Sequence, residues 1–518
     1  MHSNRLNVNQ REARAAFPSL LVAAAGSGAG KTVTTMALLC ALRARGIRAV
    51  AAKSGPDYID AGFHATVTDA PVANLDVWMS RAARPSPPST RMTGTCPAGL
   101  TRLFSRLHTL GDMALVEGAM GLFDGATASA EGTGSAAHLA ILLGLPVLLL
   151  IHAGGMGQSV AAVADGFLRH RPAWLARCGK KLVFAGLVCT HVGGEKHKAI
   201  LRAALKDVEA DSGVTILGML PREGAPFLAS RHLGLVEARD AAPALNPATL
   251  TAWLETNCNI DALLKRIEFV PNRKSARKIA RSVSPQNIFP AAFFPAHAPL
   301  RTEKKRVAIA RDAAFSFCYA DLPALLAEIG AESVFFSPLA DAAPPPCDAL
   351  YFPGGYPELH ARELANNKAM LGAVRGTAER GTPVYGECGG YIYLMRSLRY
   401  GEANHVFSGL LPLACILGER RAALGYRAVH TLPGWPERTQ NTGRLCDRGE
   451  LWARGHEFHY GRLADARLPA DCAPLWRMCD SEGRNLGREG CRRGSVAGSW
   501  VHLYPEGAKL FWKTWLCL

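Results

Sequence analysis

An apolar run, Leu20–Ala25, passes directly into Gly26-Ser27-Gly28-Ala29-Gly30-Lys31-Thr32, and a helical run, Thr34–Arg45, follows. A strand that turns through glycines into a helix beginning Lys-Thr confines the chain to folds in which backbone N–H groups at a helix N-terminus cradle a phosphate. Gly26, Gly28 and Gly30 let the backbone approach the oxygens without a Cβ in the way. Lys31 is placed to neutralise the β- and γ-phosphates and Thr32 to hold Mg2+. The usual spacing asks for Gly at position 25, where this chain has Ala25. A phosphate loop at the end of the first apolar run also argues against a signal peptide there.

The pattern around this loop repeats. Leu20–Ala25, Ala49–Ala52, Met113–Glu117, Val147–His152, Leu182–Cys189 and Thr215–Leu220 are short apolar runs separated by helix-length amphipathic segments. That alternation predicts a parallel sheet with crossover helices on both faces. Leu139–Ile151, broken by Gly144 and Pro146, reads as a buried helix end and a buried strand; no run of 18 apolar residues predicts a membrane span. A length of 518 residues suits two or three domains. The expected organisation is a polar tail over 1–18, a phosphate-loop domain over 19–246, a closing helix over 247–266 with a Pro/Ala-rich basic linker to 304, and a second domain over 305–518. In the second domain, Val307–Ala310, Val334–Phe336, Ala349–Phe352 and Pro383–Tyr385 are expected strands and Leu322–Ile329 a helix. The segments Leu424–Val429 and from Leu451 onward read as β with loops.

Charge and cysteines narrow the class. Lys plus Arg outnumber Asp plus Glu by 59 to 43, a net charge of +16, which suits an acidic partner: nucleic acid, anionic lipid or a small polyanion. The 14 cysteines contain no Cys-x-x-Cys pair and read as reduced cytosolic thiols, mostly buried.

Carboxylates gather at expected strand ends near the loop. Glu117 ends an apolar strand, Lys53-Ser54-Gly55-Pro56-Asp57-Tyr58-Ile59-Asp60 follows another, and Asp124 lies in Gly121-Leu122-Phe123-Asp124-Gly125. Thr32, Asp57 and Glu117 form the expected metal set; Tyr58, Asp60 and Asp124 are expected at the substrate or phosphate.

The second half offers a nucleophile. Tyr385-Gly386-Glu387-Cys388-Gly389-Gly390 follows one strand and precedes an apolar helix, Tyr391–Met395. A Cys on such a sharp turn is expected to be exposed, with the helix N-terminus favouring its thiolate. Gly389 and the upstream turn Pro353-Gly354-Gly355 would supply N–H groups to an oxyanion. Two histidines compete as its base: His502 in Ser499-Trp500-Val501-His502-Leu503, and His459 in Gly455-His456-Glu457-Phe458-His459-Tyr460. Spacing does not separate them.

With SGAGKT, KSGPDYIDAGFH, NLDVWM, VEGAMGLFDG, RHLGLV, ARDAAFSF, FFSPLAD, PGGYPELHA, GECGG, LGYR and GHEFHY in order from about residue 20 to 512, the chain resembles the cobyrinic (or hydrogenobyrinic) acid a,c-diamide synthase family. The resemblance implies a dethiobiotin-synthetase-like ATP domain joined to a class I-type glutamine amidotransferase domain, both α/β. It implies ATP and L-glutamine as co-substrates, Mg2+, a corrinoid or related tetrapyrrole polycarboxylate as acceptor, and work in the cytoplasm without nucleic acid or membrane partners, a homodimer being one assembly open to it. It marks Cys388 as nucleophile and His502 as base. Many class I amidotransferases carry Glu two residues beyond the His, where this chain has Tyr504, so the third member is not readable. The chain also departs from the family pattern at Ala24-Ala25, at His152, where Asp is usual, and at Thr190-His191, where Asn-Arg is usual. The first two bear on the geometry of the ATP loop, the third on recognition of the base. A nickel-sirohydrochlorin a,c-diamide synthase shares both domains, and a partition-type ATPase that binds DNA shares the first; glutaminase activity and substrate separate the three.

Overall fold

The computed structural model describes residues 17–81, 95–125, 134–225, 246–268, 304–432 and 451–518. Most of the expected tail, the linker before 304 and the RHLGLV segment lie outside the described residues. The chain divides into two compact units, Met1–Trp78 with Thr90–Phe293, and Met79–Ser89 with Phe294–Leu518.

The first unit is built on seven strands: β1 (Ser19–Ala24), β2 (Ala49–Ser54), β3 (Ala73–Leu75), β4 (Met113–Glu117), β5 (Val147–His152), β6 (Phe184–Val192) and β7 (Ile216–Pro221). Their order is β3-β2-β4-β1-β5-β6-β7, and every neighbouring pair is parallel. Helices on the faces cover such a sheet from both sides, which is why β1, β4 and β5 read as unbroken apolar runs and not as alternating ones. Leu20, Val22, Leu115, Leu148 and Leu150 are fully buried, each stabilising the fold by roughly 1.5–3 kcal/mol. Strand β1 lies between β4 and β5, so the connections leaving β1 and β4 diverge and open a crevice at the carboxyl ends, where such folds bind ligands.

Two helical segments of the first unit differ from expectation. The helix after the phosphate loop is Lys31–Ala44, starting three residues early, because Gly30 is a left-handed N-cap (φ 80°, ψ 20°) that turns the chain abruptly into the helix. The closing helix over 247–266 is two, Pro247–Asn257 and Ile260–Arg266. Cys258 is extended between them, and the Asn259 side chain accepts the Ala262 N–H at 2.9 Å, capping a fresh helix.

The second unit centres on β8 (Lys305–Ala310), β9 (Ala331–Phe336), β10 (Ala349–Phe352) and β11 (Val384–Glu387). The sheet runs Cys491–Arg493, Val496–Ser499, β11, β10, β8, β9, parallel except at the Cys491–Arg493 edge. Two further sheets, largely antiparallel, complete it. The expected strand Leu424–Val429 extends to Ala423–Thr431 and pairs antiparallel with Leu451–His459, which pairs in turn with Val501–Leu503. Among the described residues, no helix is long and apolar enough to cross a membrane, and the cysteines are free.

Candidate active sites

In the first unit, parallel register sets the carboxylate cluster. Glu117 at the end of β4 lies beside Val22 of β1 and Lys53 of β2. The Thr32 hydroxyl at the start of the loop helix reaches Glu117 Oε1 at 3.0 Å and Asp60 Oδ1 at 3.2 Å. Asp60, expected at the substrate or phosphate, therefore stands with Thr32 and Glu117. Asp57 closes the turn before the helix Tyr58–Thr68, its Oδ1 accepting the Asp60 N–H at 3.2 Å. Tyr58 begins that helix, and Asp124 folds onto its own turn, accepting the Gly121 N–H at 2.8 Å.

Lys53 and His64 join this cluster unforeseen. The Lys53 ammonium, 2% exposed, donates to Asp60 at 2.5 Å and to Glu117 at 2.9 Å. His64, one turn beyond Asp60 on the same helix face, contacts the other Glu117 oxygen. Burial alone would lower the Lys53 ammonium, but Glu117, Asp60 and Asp57 outweigh it and hold it above its ordinary value. Burial likewise opposes the Glu117 carboxylate, yet Lys53 and His64 hold its pKa down at about 2. The carboxylate is thus ionised at neutral pH. Lys31 arches back over its loop, donating to Gly26 O at 3.0 Å, and burial followed by repulsion from Lys53 lowers its pKa. One signal in the sequence pointed to Lys53: a lysine at the end of the apolar run Ala49-Val50-Ala51-Ala52, where a strand buried on both faces admits a charge only if it is paired.

In the second unit, three adjacent parallel strands end at one place. The turn after β10 carries Gly354 and Gly355, that after β11 carries Cys388 and Gly389, and the chain leaving Val496–Ser499 leads to His502. The Cys388 N–H bonds to Ser499 O at 2.8 Å. A Cβ on Gly354 would lie 2.3 Å from His502 Cε1, and one on Gly389 3.0 Å from the Gly355 N, so the turns interlock around Cys388 and His502. Cys388 has φ 46° and ψ −102°, a strained conformation costing about 1–3 kcal/mol for a residue with a side chain.

The expectation of an exposed Cys388 thiolate is corrected here. The residue is 7% exposed, its Sγ lies 3.8 Å from Phe458 O, and Cys517 is the cysteine classed as exposed among the described residues. Burial, then the charge of Glu358, pushes the thiol up. Burial, then the neighbouring His456 and His459, pushes His502 well below its ordinary value. Burial thus favours the neutral form of both the thiol and the imidazole. The other histidine is committed to structure: His459 Nδ1 bonds to Gly461 O at 2.7 Å, Nε2 to Glu457 at 3.1 Å, and its ring stacks on Trp500 at 4.3 Å.

Two buried carboxyls support this turn. Glu387 accepts from Tyr351 at 2.8 Å and from the Leu503 N–H at 3.2 Å; Glu489 accepts from Trp476, Ser499 and the Trp500 N–H. Burial raises them to about 8 and about 7. An acid raised above its unfolded value stabilises fully below the unfolded pKa and loses that contribution as pH climbs through the folded one. For Glu387 the window runs from about 4.5 to about 8. Glu387→Gln, which cannot titrate, should therefore flatten the fall in Tm of the second unit between about pH 5 and pH 8. A Tm difference between variant and parent that is the same at both pH values would contradict this.

The two units match two family descriptions: "CobQ/CobB/MinD/ParA nucleotide binding domain" over residues 20–235, and "CobB/CobQ-like glutamine amidotransferase domain" over 306–509. The fold and its two sites thus define a nucleotide-binding domain joined to a glutamine amidotransferase domain. A Brucella suis protein named hydrogenobyrinate a,c-diamide synthase is 38% identical over 93% of this chain and 97% of its own length, and a Rhizobium meliloti protein of the same name is 35% identical over 93% and 98%. A solved glutamine amidotransferase structure aligns with 41% of this chain and 99% of its own at 17% identity and a TM-score of 0.28. The chain belongs to the hydrogenobyrinate a,c-diamide synthase family.

Proposed function

We propose that the chain amidates the a and c carboxylates of hydrogenobyrinate or cobyrinate in cobalamin biosynthesis, taking nitrogen from glutamine and energy from ATP. The observation that carries this is similarity along almost the whole chain to proteins named for that reaction, with a phosphate loop in one unit and a cysteine on a strained glycine turn in the other. The reaction runs in the cytoplasm and calls on neither nucleic acid nor membrane. The positive net charge suits an acceptor that is itself a polycarboxylate.

A carboxylate does not yield an amide directly, because oxide is a poor leaving group. The acceptor carboxylate oxygen attacks the γ-phosphorus of ATP, ADP departs, and an acyl phosphate results; Lys31 stabilises the transferred charge and the loop amides at Gly26, Gly28 and Gly30 hold the phosphates. The hard oxygen donors fit Mg2+: Thr32, Glu117 and Asp60 within one hydrogen-bonded cluster, with Asp57 and Asp124 in the adjoining turns. When bound, Mg2+ would neutralise charge on the nucleotide phosphates, while Lys53 neutralises the Asp60 and Glu117 carboxylates from the protein side. Tyr58, in the first turn of the helix that carries Asp60, is assigned to the acceptor.

Cys388 Sγ attacks the glutamine side-chain carbonyl while His502 takes the thiol proton. N–H groups of Gly355 and Gly389, beside the Gly354 turn, stabilise the oxyanion. The C–N bond then breaks, ammonia leaves with the proton returned by His502, and water cleaves the thioester to glutamate. Ammonia attacks the acyl phosphate and phosphate leaves; two cycles give the diamide.

Gly354 makes this reading testable without touching a reacting group. Gly354→Ala sets a Cβ against the buried His502 ring, and a displacement of about an ångström at a catalytic group costs up to ~10²-fold. The expected result is glutaminase kcat reduced about 10- to 100-fold with ATP binding unchanged; unaltered glutaminase would remove His502 from the base role. The substrate is settled by mass spectrometry of hydrogenobyrinate, cobyrinate and nickel-sirohydrochlorin after incubation with ATP, Mg2+ and glutamine. The reading requires two amides on a corrinoid, and amidation of the sirohydrochlorin alone would overturn it.

A further inference from the structure

The turn that leaves β4, from Gly118 to Asp124, lies across the crevice at the carboxyl ends of the strands, and its backbone is fastened on both sides. The Gly118 N–H bonds to Val22 O at 2.8 Å and the Leu122 N–H to Ala24 O at 2.8 Å, both on β1. On the other flank the Ala119 N–H reaches Ser54 Oγ, at the end of β2, at 2.8 Å. The turn has no slack where it meets the phosphate loop. A Cβ on Gly121 would lie 2.6 Å from Asp124 Oδ2 and 3.0 Å from Ala25 O. Met120 stands between these anchors, with Glu117 before it and Asp124 after it.

Two properties of Met120 do not serve the fold. Its φ is 51°, in the left-handed region, and the residue is 48% exposed. Among the described residues it is the one large apolar side chain that combines the two. Single apolar residues on a surface are ordinary. A bulky one held left-handed is not, since glycine would fill the same turn without strain and asparagine with little. Nor does packing repay that strain, because nearly half of the residue remains in water. Backbone strain of this kind collects at ligand clamps, where the side chain is needed in one place. A methionine there offers a flexible, polarisable apolar surface.

We propose that Met120 is an apolar contact for the macrocycle of the acceptor, its thioether chain lying against the ring while a carboxylate substituent reaches the phosphates on the loop. This rests on the acceptor reading above and adds to it a residue that recognises the ring and not its charges. The turn holds Met120 rigidly, so the contact also fixes how far the ring stands from the loop.

The test uses the full chain saturated with Mg2+ and a β,γ-imido analogue of ATP, with dissociation constants for hydrogenobyrinate and for the analogue from titration calorimetry. Met120→Gly should weaken hydrogenobyrinate about three- to tenfold, the share of a methionine side chain that is open to be covered. It should leave the nucleotide affinity unchanged and hold or raise Tm, because glycine relieves the strain. Met120→Asn, which also accepts the left-handed backbone but is polar, should weaken the corrinoid by the same factor. Met120→Leu, apolar and of similar volume, should stay within about twofold of the parent. Unchanged hydrogenobyrinate affinity in the Gly and Asn variants would overturn the proposal while leaving the acceptor reading intact. So would weakening by Gly alone, which would assign the effect to the rigidity of the turn, and so would an equal loss of nucleotide affinity, which would place the effect in the phosphate loop. Absence of hydrogenobyrinate binding to the parent protein would overturn both readings.

Discussion

Cys388→Ala is expected to lose glutamine-driven amidation by at least about a thousandfold while amidation driven by high concentrations of ammonium salt persists. The two halves of the reaction use different residues. The thiol only liberates ammonia from glutamine, whereas the acyl phosphate that ammonia attacks is made in the other unit. Losses of this size follow removal of a covalent nucleophile, because no neighbouring group takes over bond formation. The substitution is gentle on the fold, since it deletes one sulfur from a residue whose backbone is held by Ser499 O and by the helix it caps. Ammonia-driven turnover should rise with pH, because the unprotonated form attacks. His502→Asn should share the phenotype. His459→Asn is not equivalent, since its ring ties Glu457 to Gly461 and stacks on Trp500; it should lower Tm before it lowers glutaminase. The measurement is amide product by mass spectrometry with each nitrogen source. Continued use of glutamine by Cys388→Ala would put the nucleophile elsewhere, and loss of the ammonia reaction as well would make Cys388 a structural residue.

What the sequence disclosed, and what it withheld, follows from the range of the interactions concerned. Strands buried on both faces announce themselves as apolar runs, so β1, β4 and β5 of the first unit were legible to within a residue. The phosphate loop was legible because its chemistry is local. The break at Cys258 was not, because an apolar period continues across it and only the Asn259 cap interrupts. The antiparallel sheets of the second unit read only as loose β segments, since their pairings, such as His456 with His502, join strands far apart in sequence. The sites divide in the same way. Cys388 and Lys31 stand in local motifs, whereas Lys53 and His64 become visible only when parallel register sets β2 beside β4 and the helix Tyr58–Thr68 covers them. The burial of Cys388 is hidden from the sequence for the same reason. A turn looks open in one dimension, and the Phe458 carbonyl that covers the sulfur comes from a strand 70 residues away.

Lys31→Ala should abolish ATP-dependent amidation, by ~10³-fold or more, the scale on which cationic groups act in phosphoryl transfer, and should do so with ammonia as well as with glutamine. This separates it from Cys388→Ala, whose defect ammonia repairs. The ammonium bends back to Gly26 O, within the loop that would receive the phosphates, and its proton affinity is already lowered by burial and by Lys53. A cation held at such a cost contributes little to the fold, and removing it relieves repulsion with Lys53, so Tm should hold or rise slightly. Lys53 cannot substitute, because its ammonium is committed to Asp60 and Glu117. Glutaminase at Cys388 should persist, since Lys31 belongs to the other unit. The decisive measurements are ADP release on adding the corrinoid, amide formation with each nitrogen source, and glutamate release. Near-normal amidation by Lys31→Ala would sink the assignment of the loop to ATP. Loss of glutaminase alongside amidation, with Tm unchanged, would show instead that the loop controls the thiol of the other unit, and the two half-reactions would then have to be read as coupled.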